Sequence, residues 1–182
     1  GVANVVYARG DAADLPKLFA PGELDLIYLN FCTPFPPAKQ APKRLTSVEH
    51  LLGYRDVLAP GATVRFKTDH VPLFEYSRIQ FDLAGYETRW ASTDLHATFP
   101  DEIMSDYEEL LVAKGAVVHG LEAVVGPRPE SVEQTAPLGL VSYLPEDLDS
   151  LSYIPYGMEM TVFNLKNRRA NEEARRRRVE EM

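Results

Sequence analysis

The sequence predicts an α/β domain on a mostly parallel sheet, closed by an antiparallel strand. Three observations carry that prediction. Strand-like and helix-like segments alternate through the first 85 residues, the order that builds a parallel sheet with helices on both faces. One strand candidate, Leu24 to Phe31 (LDLIYLNF), is almost continuously apolar, as strands covered on both sides are. The last two strand candidates have only a short helix between them, which suits the antiparallel pair that ends some such sheets.

The elements follow in order. Asn4 to Arg9 (NVVYAR) reads as a short buried strand, Gly10-Asp11 as a turn, and Ala12 to Phe19 as a brief helix. Pro21-Gly22 turns into the strand Leu24 to Phe31, and a proline-rich, increasingly basic loop follows (NFCTPFPPAKQAPKRL). Thr46 with Glu49 has capping-box spacing. That predicts a helix to about Leu58, ended by Pro60-Gly61. Ala62 to Lys67 (ATVRFK) is the next strand, and Pro72 to Ala84 an amphipathic helix stopped by Gly85. Tyr86 to Ser92 is a strand, Ser105 to Lys114 a short helix, and Ala116 to Val124 the last strand of residues 1–126. Residues 127–182 read as an extension: a linker-like stretch, then Tyr153 to Leu165 with strand-like or packing character. From Asn164 to Met182 comes a polar helix with Glu172 and Glu173 placed to meet Arg176 and Arg177 at i, i+4.

Composition narrows the class. A chain of 182 residues, 45% hydrophobic and 25% charged, suits one domain with a real core. No apolar run approaches the roughly 18 residues of a membrane span. The single Cys32 excludes an internal disulfide and a cysteine-based zinc site and indicates a reducing, cytoplasmic setting. His70, His96 and His119 show no metal-ligand spacing. The net charge of −8 argues against a general nucleic-acid coat, but it is uneven: from Asn164 onward seven Lys or Arg face four Glu. The opening on Gly1 rather than Met, just before a strand candidate, predicts further sequence upstream.

Ligands of open parallel sheets bind outside the carboxyl ends of the strands. That rule picks out Gly10-Asp11-Ala12, the loop from Asn30, Thr68-Asp69, and Ser105 to Glu108 across the rim. Each has a plainer reading. Asp11 or Asp69 would serve as helix caps, and Ser105 with Glu108 as a capping box.

Taken together, these strand ends resemble the tRNA (guanine-N7)-methyltransferases, which use S-adenosylmethionine. The resemblance runs from about Asn4 to Val125 and includes the quieter phrases LFAPGELDLIYLNF, RDVLAPGA, FKTDHVPLFEYS and DYEELLVAKG. It is most similar to the Gram-positive version of the family. It implies a Rossmann-like class I methyltransferase sheet whose glycine-rich turn and ribose-binding acid would precede Gly1. It implies S-adenosylmethionine contacts at Asp11, Ala12, Asn30 and Thr33, with Asp11-Ala12 at the adenine edge. The family's D-P-W-P-K signature stands here as Thr33-Pro34-Phe35-Pro36-Pro37, keeping both prolines and the aromatic but losing the carboxylate and the lysine. The basic run behind it is thinned to Lys39, Lys43 and Arg44, the implied RNA contacts. Asp69 and Glu108 are the implied catalytic residues, and Pro37, Asp69, Ser105, Asp106, Tyr107 and Glu108 the implied substrate contacts. Guanine N7 carries an in-plane lone pair and no proton, so its methylation needs positioning rather than a general base. Carboxylates suit that task by accepting from N1–H and N2–H. The implied partner is tRNA, the protein a cytoplasmic monomer or homodimer with no membrane contact. A second reading stays open: Thr33 and Pro37 favour a catalytically impaired member that binds RNA or protein. A third keeps methyl transfer but changes the acceptor.

Overall fold

The computed structural model describes residues 3–180, with side chains through Arg178. A four-stranded sheet organises it: β1 (Leu24–Asn30), β2 (Leu58–Thr68), β3 (Tyr86–Ser92) and β4 (His119–Val125), in the spatial order β1-β2-β4-β3. β1 and β2 are parallel, and β4 lies antiparallel to both β2 and β3. The antiparallel pairing of β3 and β4 is as expected, but β4 does not close the sheet: it is a reversed strand inserted between β2 and β3. The helices are α1 (Leu15–Leu18), α2 (Val48–Arg55), α3 (Val71–Leu83), α4 (Leu95–Thr98), α5 (Asp106–Ala113) and α6 (Glu159–Glu180).

α2 and α3 cover one face of the sheet. Ile27, Leu29, Val64, Phe66, Leu121 and Ala123 pack there against Leu51, Tyr54, Leu73, Phe74 and Phe81. Lys67 alternates with Phe66 and so points to the opposite face. There it meets Glu102 and Glu108 at 2.8 and 3.6 Å, so α5 and the segment before it cover only the carboxyl end of that second face. Helices on both faces were expected over the first 85 residues. Instead both long connections, α2 and α3, lie on one side, and Leu26 and Tyr28 of β1 are exposed on the other.

Several boundaries move. Residues 4–9 form no strand; their side chains are exposed. Hydrophobic content favours a strand only where a neighbour completes its ladder, and among the described residues β1 pairs with β2 alone. The N-cap of α2 is Ser47, whose hydroxyl accepts from the His50 N–H. Thr46 is buried instead, its hydroxyl 2.7 Å from that of Ser77. α2 ends at Arg55, and β2 begins at Leu58 with a register irregularity spanning Pro60-Gly61. Gly85 stops α3 as expected, at φ 72°, a conformation that a Cβ disfavours. The expected capping box of Ser105 and Glu108 is present in both directions.

The extension packs back onto the domain. Gln134 and Gln80 exchange hydrogen bonds at 2.9 and 3.0 Å, and Ala136 and Leu140 join the core cluster. No strand forms over Tyr153 to Leu165; α6 begins at Glu159. From Asn167 to Arg178 its side chains are exposed, and no ion pair joins Glu172 or Glu173 to Arg176 or Arg177 among the described residues. Met182, the expected helix end, lies outside the described residues. Among the described residues no helix is long and apolar enough to cross a membrane.

Candidate active site

The loop leaving β1 is bent at two residues with positive φ, Phe31 at 50° and Phe35 at 45°. Non-glycine residues adopt that region at a cost and persist there when surrounding contacts fix them. The fixing contacts are visible. The Phe31 N–H donates to the Lys67 carbonyl at 2.9 Å. Arg44, with no exposed surface, donates to the carbonyls of Pro34 and Phe35 at 3.0 and 2.8 Å. Its guanidinium stacks 4.4 Å from the Tyr76 ring centre. Arg44, expected to contact RNA, is therefore corrected to a pin that folds the proline-rich loop. A buried guanidinium needs neighbouring acceptors, and here Nε and one terminal nitrogen collect carbonyls rather than a phosphate, while Nη1 has no partner among the described residues. Lys39 and Lys43 are exposed, as phosphate contacts need to be. Thr33 and Pro37 are exposed on the same loop.

Asp69 follows β2 directly and is half-buried. It caps no helix. The cap of α3 is His70, whose Nδ1 accepts from the Leu73 N–H at 3.1 Å. Burial holds the His70 imidazole down, at a pKa of about 4. Its folded value lies below the unfolded value near 6.5, so the unfolded chain binds the extra proton between these limits. His70 thus contributes stability that is present above pH 6.5 and is lost as the pH falls toward 4. The maximum is about 3 kcal/mol. His70→Asn keeps a capping oxygen and removes the titration. Chemical denaturation should show a flatter dependence between pH 7 and 4 in that variant; identical slopes would remove His70 from the acid sensitivity.

Among the described residues the carboxylate of Asp69 is engaged on one side only. The Tyr153 hydroxyl donates to its Oδ2 at 2.6 Å. Around it lies a cavity of about 580 Å³, bounded by the sheet tip at Asp69 and His119 and by residues 142–145 and 150–155 of the extension. Tyr107 lies near Tyr153 without lining the cavity. Its ring meets Phe31 edge-on at 5.4 Å between centroids, and it contributes to the upward push on the Tyr153 hydroxyl, whose main causes are burial and the Asp69 carboxylate. The ends of β1 and β2 and the first turn of α5 therefore meet. Asn30 is exposed at the end of β1, paired in register with Lys67.

Glu108 is placed differently. It is 2% exposed. Its Oε1 lies 2.9 Å from His96 Nε2, and its Oε2 lies 3.6 Å from Lys67 Nζ and accepts from the Ser105 N–H at 3.5 Å. All of its acceptor capacity is turned inward, so in this conformation it braces Lys67 and α5 rather than facing a ligand. Ser105 is the N-cap of α5, and Asp106 is exposed in its first turn.

Asp11 and Ala12 sit on the far flank. Asp11 caps a short 3-10 turn through the Ala13 N–H at 3.0 Å. Ala12 lines a separate hollow of about 190 Å³ with Glu49, His50 and Tyr54, which shares no residue with the cavity at Asp69. Ala12 and Asp69 thus line two separate concavities, and Asp11, Asn30 and Thr33 line neither.

Two functional features escaped the sequence reading. Tyr153 belongs to a segment with no recognisable motif; only the aromatic content of 153–165 hinted at packing. Lys67 was read as a strand residue, and its burial between two carboxylates became visible only once α5 was placed.

Comparison with known proteins follows from this arrangement. The family described as "Putative methyltransferase" matches residues 1–121. The tRNA (guanine-N(7)-)-methyltransferase of Streptococcus equi subsp. zooepidemicus is 38% identical over 121 residues, covering 66% of this chain and 57% of that protein. The chain belongs to this methyltransferase family. The Streptococcus uberis enzyme of the same name is 40% identical over the same length and coverage, and the Streptococcus sanguinis one 37% identical over 123 residues, 67% of this chain and 58% of that protein. This family member therefore spans somewhat more than half the length of the curated relatives it matches, and its residues past the matched region are additional to the alignment. Among solved structures, a SAM dependent methyltransferase from Archaeoglobus fulgidus superposes with a TM-score of 0.39 at 10% identity, over 64% of this chain and 66% of that one.

Proposed function

We propose that this protein methylates guanine N7 in tRNA, using S-adenosylmethionine, in the cytoplasm, and that residues 1–126 carry the catalytic apparatus while 127–182 form an extension covering it. The observation that supports the reading most is the placement of Asp69. Within a matched region 38–40% identical to enzymes of that name, it stands at a parallel-strand tip, half-buried, beside a cavity and two aromatic rings.

The described residues fit the cofactor on one flank only. Asn30 is exposed at the end of β1 and Thr33 on the loop that leaves it, where ligands of such sheets bind; Asp11 is exposed before a short 3-10 turn. The hollow at Ala12, about 190 Å³, is below the usual range for a ligand of this size. When bound, S-adenosylmethionine supplies an electrophilic methyl group on a sulfonium. The protein's own residues do the rest. Asp69 accepts hydrogen bonds from the N1–H and N2–H edge of guanine, which leaves N7 and its lone pair unobstructed. Phe31 and Tyr107, edge-on to each other, offer aromatic surface for a flat base near Asp69, and the apolar sides of the cavity limit water around it. Lys39 and Lys43 contact phosphates and make binding salt-dependent. No residue needs to remove a proton before attack.

Incubation with methyl-labelled cofactor and unmodified tRNA, then nuclease digestion and mass mapping, tests this reading. It requires 7-methylguanosine as the labelled product. Label in another nucleoside would change the acceptor. Absence of both label and cofactor binding would favour the impaired, RNA- or protein-binding member that Thr33 and Pro37 suggest. Thr33→Asp should tighten S-adenosylmethionine binding roughly threefold, because an exposed carboxylate near the sulfonium adds a modest attraction. An unchanged or weaker dissociation constant by calorimetry would remove the loop from the cofactor's flank.

A further inference from the structure

The family match ends at residue 121, yet the chain returns to Asp69 well beyond it. The returning segment is anchored at both ends. Leu140 and Met158 have no exposed surface, Leu148 is 3% exposed and Val162 1%. The Leu140 N–H donates to the Pro36 carbonyl at 3.0 Å, and Tyr143 packs edge-on against Tyr76. Lifting the segment would expose several fully buried apolar side chains, each worth about 1.5 to 3 kcal/mol. It is a fixed wall, not a lid.

Between its anchors the segment passes the tip of β2 and leaves a half-open recess there instead of filling the space. The cavity beside Asp69, about 580 Å³, lies in the range of small-molecule sites. Val71, Pro72, Leu144, Leu151 and Pro155 give it apolar sides, and Asp69, His119 and Tyr153 give it a polar one. Tyr153 donates to Asp69 Oδ2, and Oδ1 has no partner among the described residues. Burial and the Asp69 carboxylate push the Tyr153 hydroxyl upward, so it remains a proton donor throughout the working pH range.

We propose that residues 140–155 form the far wall of the acceptor-base pocket, and that Tyr153 is a positioning residue that fixes the Asp69 carboxylate for a single unstacked guanine. This inference rests on the guanine reading of the preceding subsection. A half-open recess of this size admits a mononucleotide or a base turned out of its helix and is too small for a stacked duplex, so the acceptor base must leave its stack to enter. Tyr153 acts through Asp69. Its hydroxyl holds Oδ2 in place, so that the carboxylate meets N1–H and N2–H in one orientation.

The test uses guanosine 5′-monophosphate, inosine 5′-monophosphate and S-adenosylmethionine as separate calorimetric probes of the whole protein. Hypoxanthine lacks the N2 amino group, so its nucleotide should bind more weakly. Tyr153→Phe should weaken guanosine monophosphate binding about fivefold and narrow its preference over inosine monophosphate, while S-adenosylmethionine binding and the unfolding midpoint stay unchanged. A purely structural tyrosine would not alter that preference. In an Asp69→Asn background, Tyr153→Phe should add nothing further, since the two act as one unit. Tighter nucleotide binding by Tyr153→Phe would make the segment a plug and overturn the inference. So would unchanged binding, or no nucleotide binding by the unsubstituted protein. Nucleotide effects as expected without any S-adenosylmethionine binding would uphold the pocket and refute methyl transfer, so the two readings fail separately.

Discussion

Asp69→Ala should reduce methyl transfer at least about a hundredfold while the protein stays folded. The size follows from what the carboxylate is asked to do. Guanine N7 needs no activation, so the rate depends on holding the lone pair in line with the methyl group, and lost positioning of that kind costs about two orders of magnitude. The fold should survive because Asp69 caps no helix and has one hydrogen-bond partner among the described residues, Tyr153. Comparing initial rates with the circular dichroism melting curve separates the two effects. A variant with near-normal rates would remove Asp69 from the site, and one that loses rate and melting temperature together would make it structural.

Arg44→Ala should cause the largest loss of stability, about 3 kcal/mol. The guanidinium donates to three successive carbonyls, those of Pro34, Phe35 and Pro36, from a position with no exposed surface. Truncation leaves those acceptors short of a donor and opens a void against Tyr76. For a domain of this length the expected drop in melting temperature is about 10 °C. Arg44→Lys should recover little of it, because an ammonium neither forks across adjacent carbonyls nor stacks on a ring. Were Arg44 a phosphate contact, its loss would instead flatten the salt dependence of RNA binding and leave the melting temperature unchanged.

The contrast between Arg44 and Asp69 shows what could be read from the sequence. Strands with strong apolar character and a covered face, such as Leu24–Asn30 and His119–Val125, were legible because burial imposes a pattern on neighbouring positions. The capping box at Ser105 and Glu108 was legible because it is local, and so was the stop at Gly85. Residues 4–9 have the same apolar character as a true strand but no partner among the described residues, and pairing is a non-local property. Arg44 looked like part of a basic run beside Lys39 and Lys43, because charge is visible in a sequence and burial is not. Glu108 was correctly seen as a cap, but its commitment to Lys67 and His96 depends on contacts 41 and 12 positions away. Tyr153 stands 84 positions from Asp69, too far for any spacing rule, in a stretch whose composition suggested only a linker and a packed end.

Replacing the acceptor guanosine of the tRNA with 7-deazaguanosine tests the central chemical claim most directly. This analogue keeps the N1–H and N2–H edge that Asp69 would recognise and substitutes a C–H for the nucleophilic N7. The expected result is binding equal to that of the ordinary tRNA with no methyl incorporation at that position. Incorporation at the normal rate would contradict N7 as the nucleophile and, with it, the assignment of Asp69 as the residue that leaves N7 free.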